Sequence, residues 1–248
     1  MMRSTAFYPG RKLKMNREAV RSGIRKVWQI AEELGISEIF SNPAPLPVSA
    51  EFRDLILSDA STYIQVYNKA LALSHYNILL ADYSFLQFSS EGEENVRYAF
   101  YPNPYASSSD EYSNWFRSRQ DMVEAGMLTH EEFLSLLSSK TGVGAIPLIR
   151  YENAPNQRAK FHHPSSHFHI GFHSENRWAV RRVLTPSAFA LLVFKLYYGD
   201  KWRAIGEDDE PDLIKNKFER SLISERTRCY LVAEHLFEAD EERAFYFA

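Results

Sequence analysis

A histidine-rich run of alternating polar and apolar residues constrains the fold of this chain more than any other feature. Five of the eight histidines fall within residues 162–173, and the alternation begins at about residue 165. Such alternation predicts a β-strand with one buried face, because successive strand side chains point to opposite sides. The expected faces are His167, His169 and His173 on one side and Phe168, Ile170 and Phe172 on the other.

One interpretation of this histidine cluster is a metal site. Histidine is the side chain most often found as a metal ligand, and two histidines separated by one strand residue can approach the same ion. A carboxylate near a second predicted strand, from Asp82 or Glu152, is a candidate further ligand. The cofactor expected at such a site is a divalent metal such as zinc or manganese. The candidate histidine ligands are His163, His167, His169 and His173.

A second interpretation is metal-free phosphodiester chemistry, in which His167 and His169 act as general acid and base. The local charge supports it, because residues 150–182 contain six Lys or Arg and two Glu, which gives +4 in a chain of net charge −3. A guanidinium group can bind two phosphate oxygens at once. The arginines expected to hold phosphate are Arg150, Arg177, Arg181 and Arg182.

The leading functional hypothesis is a histidine-dependent phosphodiesterase or nuclease-like hydrolase that acts on nucleic acid or a nucleotide, with His167 and His169 as its catalytic residues. The alternative is a non-enzymatic component that binds nucleic acid or a protein partner through the basic segment. Two further explanations stay open. The histidines could hold a structural metal, or they could be polar residues on a hydrated sheet face.

The order of predicted elements indicates the fold class. Helices are expected at about residues 16–34, 50–74, 110–125, 129–142 and 186–198, with one or two more up to Phe237. Strands are expected at about residues 82–88, 96–101 and 146–152, in the histidine run, and at 177–183. Helices and strands come in blocks, which favours α+β over a doubly wound sheet. We expect a small, mainly antiparallel sheet packed by N-terminal and C-terminal helices, with residues 1–248 as one domain and 1–75 as a candidate helical subdomain.

Composition excludes several classes of protein. The single cysteine, Cys229, excludes an intrachain disulfide framework and a Cys-rich zinc site. No apolar stretch reaches the length of a membrane span, and the first residues lack the apolar core of a secretion signal. We therefore expect a cytoplasmic location and no membrane partner.

Several motifs resemble a bacterial family known only as domain of unknown function 2290. They are residues 163–171, Arg182, 185–189 and 197–198, together with 82–88 and 101–104 upstream. The resemblance covers about residues 20–235 and carries no established activity, so it implies no catalytic residue. Proteins of this kind resemble accessory components of mobile or anti-phage loci. The resemblance therefore implies a nuclease or a regulator in a bacterial defence or toxin system.

Overall fold

The computed structural model describes residues 15–105, 110–138, 147–172, 176–204 and 216–245. Within these residues the helices are α1 (Arg17–Glu33), α2 (Ala50–Leu57), α3 (Tyr63–Ala72), α4 (Asp110–Glu124), α5 (His130–Ser138), α6 (Pro186–Tyr197), α7 (Gly199–Ala204), α8 (Lys217–Arg228) and α9 (Ala239–Phe245). The strands are β1 (Ser37–Phe40), β2 (Ile78–Leu80), β3 (Phe85–Glu91), β4 (Asn95–Tyr101), β5 (Ile149–Asn153), β6 (Ser166–Ile170) and β7 (Trp178–Ala179).

The seven strands of the described residues form one sheet in chain order, and every neighbouring pair is antiparallel. Helices α2 and α3 are inserted between β1 and β2, and α4 and α5 are inserted between β4 and β5. The α+β class with an antiparallel sheet is therefore confirmed. The N-terminal segment is part of this architecture, because β1 pairs with β2 and α1 packs on α6 and β3.

One face of the sheet is covered by α1, α6 and α8. Helix α6 begins with Thr185 as its N-cap and Pro186 in its first turn, a favourable arrangement because proline has no amide hydrogen to leave unpaired. Its apolar residues are buried on nearly all sides, as expected for a helix packed beneath the sheet. Phe189 contacts the rings of Phe88 and Tyr98, so the helix and the central strands share one core.

Helix α1 lies against the start of α6 at Gly23. A methyl group added there would lie 2.6 Å from Cγ of the Pro186 ring, which is well inside the contact distance of two carbon atoms. Glycine at this position therefore allows the two helices to pack.

We expect Gly23→Ala to destabilise the protein by about 1–3 kcal/mol, as overpacking of a core does. Alanine normally favours a helix over glycine by roughly 1 kcal/mol, but the clash with a rigid ring in a buried contact outweighs that gain. Ser22→Ala, at an exposed position of the same helix, is the matched control and should be neutral. Urea unfolding measures the difference, and a Gly23→Ala protein as stable as the control would contradict this packing.

The opposite face of the sheet is only partly covered. Helices α2 to α5 pack over one end of it and form a second core with Phe85 and Tyr101. Arg150 and Glu152 of β5 and His167 and His169 of β6 lie on the remaining part of this face. This arrangement leaves an open cleft between the sheet and α2.

Two expectations about individual elements are wrong. The helix expected at 50–74 is two helices, because Thr62 forms a capping box with Gln65 and starts α3 anew. Phe172 does not share a face with Phe168. Strand β6 ends at Ile170 and Gly171 adopts a φ of +98°, so Phe172 turns to the second core.

Other expectations are modified or fall outside the described residues. The strand expected at 177–183 is reduced to Trp178–Ala179, followed by an isolated bridge between Arg182 and Leu231. Strands β1 and β2 were not expected, since four and three residues are too short to show alternation. The sequence also predicts a solvated acidic loop at residues 207–212, which lie outside the described residues. None of the described helices is long and apolar enough to cross a membrane.

Candidate metal centre

Strands β5 and β6 bring together Glu152, His167 and His169. Glu152 is paired with His167 across the two strands, and Arg150 is paired with His169. Residues paired in this way point to the same face, so the expectation that His167 and His169 share a face is confirmed. One potential ligand atom from each of Glu152, His167 and His169 lies within 4.8 Å of the others.

The two imidazole rings face each other through their Nε2 atoms, which are 3.0 Å apart. Nitrogen ligands bind zinc at about 2.0–2.1 Å, so two of them on one ion are separated by roughly 2.9–3.4 Å for angles between about 90 and 110°. The observed separation falls in this range. The contact is a hydrogen bond between the two rings, and its length also fits two ligands of a single ion.

A backbone contact orients the His167 ring as metal ligation requires. Its Nδ1 lies 2.8 Å from the carbonyl oxygen of Pro164. A carbonyl can only accept a hydrogen bond, so Nδ1 carries the proton and Nε2 keeps its lone pair toward His169. Burial lowers the pKa of His167 to about 4, with a further lowering by His169 and an opposing effect of Glu152. The imidazole is therefore neutral at pH 7, the form that binds metal.

Arg97 from β4 holds the carboxylate of Glu152. Its Nε donates to Oε1 of Glu152 at 2.9 Å. Burial alone would raise the pKa of Glu152, but Arg97, with smaller contributions from His167 and His169, holds the pKa below its usual value. Glu152 is therefore an anion at neutral pH and is oriented by a neighbouring cation, as carboxylate ligands commonly are.

The other predicted ligands are not members of this group. His163 packs edge-on against His167, with ring centroids 4.8 Å apart, and lines the same cleft. Within the described residues its buried Nδ1 has no hydrogen-bond partner. His173 lies outside the described residues. Asp82 lies in the turn between β2 and β3, where it accepts hydrogen bonds from Ser84 and Tyr198.

The four predicted phosphate-binding arginines divide into two pairs. Arg150 and Arg177 line the cleft beside the histidines. Arg181 instead pairs with Glu242 and lies over the ring of Phe237. Arg182 donates to the carbonyl oxygens of Arg226 and Cys229, at 3.3 and 2.7 Å. Of these four arginines, Arg150 and Arg177 are therefore the two placed to meet a ligand at this site.

An acidic C-terminal segment neutralises much of the basic region identified from the sequence. Arg158 donates to Glu238 at 3.0 Å and to Glu241 at 2.7 Å, and Lys160 donates to Glu238 at 2.6 Å. These carboxylates follow the basic residues by about 80 positions, so a local count of charge does not include them. The positive charge that faces the cleft is smaller than the sequence suggests.

The cleft has a volume of about 450 Å³ and two chemically different walls. The strands contribute polar groups, among them Gln87, Arg97, Glu152 and His169. The segment before α2 and α2 itself contribute an apolar wall, formed by Leu46, Pro47, Val48, Phe52, Ile56 and Leu57. Sequence reasoning missed Arg97, Gln87 and this wall. Only the alternation within β3 and β4 could have placed Gln87 and Arg97 on the site's face.

The fold and the site together define an α+β protein with a His-His-Glu cluster in a cleft on one face of an antiparallel sheet. Residues 43–246 match the model of a family described as an uncharacterized conserved protein, DUF2290. The chain belongs to this family, which confirms the resemblance seen in its motifs. No curated protein and no solved structure shows significant similarity to the chain.

Proposed function

We propose that this protein is a metal-dependent phosphodiesterase that acts on nucleic acid or a nucleotide. The observation that carries the proposal is the convergence of Glu152, His167 and His169 within 4.8 Å of one another. Glu152 and His169 line the cleft together with Arg150, and His167 is fully buried against His169. Zinc or manganese is the ion that two imidazoles and one carboxylate suit.

The number of ligands favours a catalytic over a structural ion. Structural zinc sites are closed by four protein ligands, whereas catalytic sites use three and leave a position open. Within the described residues the group has three members, and it borders a cleft large enough for a small ligand. A substrate in this cleft would lie beside Glu152 and His169, the two members of the group that line it.

The proposed reaction is hydrolysis of a phosphodiester. The oxygen of a water molecule forms a bond to phosphorus, the bond from phosphorus to one ester oxygen breaks, and a proton from the water passes to the leaving alcohol. A bound divalent ion supplies Lewis acidity and lowers the pKa of water. The guanidinium of Arg150 would stabilise the charge that develops on the phosphoryl oxygens, and Arg97 would hold Glu152 in place.

The test is a hydrolysis assay on protein that carries no histidine tag. Chelator-stripped protein is reloaded with zinc or manganese and incubated with bis-p-nitrophenyl phosphate or a single-stranded oligonucleotide. We expect turnover that requires the metal and stops again on chelation. His162→Ala is the matched control, because His162 is exposed and lies in the loop before the site.

Two outcomes would overturn the proposal. Protein that binds no metal would refute the metal centre. Protein that binds metal at one equivalent and cleaves neither substrate would refute the hydrolase and favour a component that binds nucleic acid or a protein partner without turnover.

A further inference from the structure

We propose that the cleft binds one nucleoside phosphate unit. Its phosphate would contact Arg150, next to the group formed by Glu152, His167 and His169, and its base would contact the apolar wall formed by α2 and the segment before it. The inference rests on the proposed function for the identity of the cleaved bond, but binding itself requires only the cleft. The unit can be a free nucleotide or one residue of a single strand.

The first support is an arginine with an unused donor. Within the described residues Arg150 Nε is buried and has no hydrogen-bond partner. Three other cations of the same basic segment, Arg158, Lys160 and Arg182, are each held by carboxylates or backbone carbonyls. Arg150 is instead a lining residue of the cleft, so an anionic ligand there would lie against its guanidinium group.

The position of Arg150 relates this anion to the metal group. Arg150 and His169 are directly paired across β5 and β6, so their side chains emerge next to each other on one face. A phosphate held by Arg150 would therefore lie beside the Glu152, His167 and His169 group. Guanidinium groups bind phosphate through two parallel hydrogen bonds, which would also fix its orientation.

The second support is the apolar wall opposite the strands. Val48 is 55% exposed and Leu57 is 71% exposed, and both line the cleft with Phe52 and Ile56. A flat nucleobase is apolar on its faces and polar at its edges, so it can contact this wall while its edge meets polar groups. Gln87 and Gln157 line the cleft and provide such groups.

The dimensions of the cleft favour a nucleoside phosphate over a DNA duplex and over a phospholipid. A volume of about 450 Å³ suits a small ligand. A DNA duplex is too wide for this cleft, because its major groove alone is about 12 Å wide. Helix α2 has eight residues and spans about 12 Å, which matches a nucleoside and is too short to cover a long acyl chain.

The test is calorimetric binding of AMP, ribose 5-phosphate and inorganic phosphate to the full chain, with and without chelator. We expect AMP to bind at least about fivefold more tightly than ribose 5-phosphate, since contact between the base and the apolar wall removes apolar surface from water. A single-stranded oligonucleotide should compete with AMP and a duplex should not. If AMP binds and neither oligonucleotide displaces it, the ligand is a free nucleotide.

Two variants test the contact to the phosphate and the contact to the base separately. Arg150→Met should weaken all three ligands about tenfold or more, without loss of thermal stability, because it removes an unsatisfied buried donor. Val48→Ser/Leu57→Ser should weaken AMP and leave inorganic phosphate unchanged. The matched controls are Arg25→Met and Leu196→Ser, at exposed positions on α1 and α6.

Equal affinity for AMP and ribose 5-phosphate would overturn the placement of the base, and unchanged affinities in Arg150→Met would overturn the placement of the phosphate. These failures are distinct from failure of the proposed function. Hydrolysis of bis-p-nitrophenyl phosphate without nucleotide binding would refute only this inference, whereas nucleotide binding without metal or turnover would refute only the hydrolase.

Discussion

Replacing His169 with alanine is expected to lower the affinity for zinc or manganese by more than about a hundredfold and to abolish phosphodiester hydrolysis. Loss of a residue that merely orients a ligand already costs about 10–100-fold in metal affinity or activity, so loss of a direct ligand should cost more. The Nε2 of His169 lies 3.0 Å from that of His167. Without His169 only Glu152 and His167 would remain, and two ligands leave an ion mostly in water.

A graded series tests this assignment more sharply than one variant. Arg97→Met should lower metal affinity by about 10–100-fold, because it removes only the group that orients Glu152. His162→Ala should leave affinity unchanged. Metal titration by calorimetry, with circular dichroism to confirm folding, measures all three. If His169→Ala binds metal as tightly as His162→Ala, the assignment is wrong.

Glu225→Ala is expected to destabilise the protein by about 2–4 kcal/mol, within the range for removing one partner from a buried charged network. The Glu225 side chain is 1% exposed and joins three helices. It pairs with Lys26 of α1 and Arg228 of α8, and it accepts a hydrogen bond from the Thr185 hydroxyl at the start of α6, at 2.7 Å. The same hydroxyl caps α6, so this change also weakens the helix start.

The same network predicts how stability depends on pH. Burial alone would raise the pKa of Glu225, but Lys26, Thr185 and Arg228 outweigh it and hold the pKa below the ordinary value of 4.5. A lowered folded-state pKa means that the carboxylate contributes fully above pH 4.5 and that the contribution is lost as the pH falls through the folded-state pKa. The stability difference between wild type and Glu225→Gln should therefore be largest near pH 7 and shrink in acid.

Urea unfolding at pH 7 and at about pH 3 measures both effects. Glu32→Gln is the matched control, since Glu32 is exposed at the end of α1. A difference between Glu225→Gln and wild type that stays constant between these pH values would show that the carboxylate charge does not stabilise the fold.

The parts of the structure that were predicted correctly depend on local signals. Thr185 and Pro186 mark the start of α6 because capping and the fixed φ of proline act within one turn. The alternation around His167 and His169 gave their shared face because strand geometry has a period of two. The break between α2 and α3 was missed, although Thr62 and Gln65 form a capping box there, because an apolar helical period runs across the break.

The composition of the site depends on strand pairing, which the sequence did not reveal. Glu152 and Asp82 were equal candidates for the carboxylate ligand, and only the register between β5 and β6 places Glu152 opposite His167. Arg97 reaches Glu152 because β4 is the next strand. Arg181 was expected to bind phosphate, but the structure pairs it with Glu242, which lies 61 positions further along the chain. Contacts over such separations require the fold.

The most direct test of the metal centre is an anomalous difference map from crystals of untagged protein loaded with zinc or manganese and measured at the absorption edge of the ion. We predict a single strong peak about 2.0–2.2 Å from the Nε2 atoms of His167 and His169 and from a carboxylate oxygen of Glu152. A map with no peak between these three residues, or with peaks only elsewhere on the protein, would contradict the metal centre.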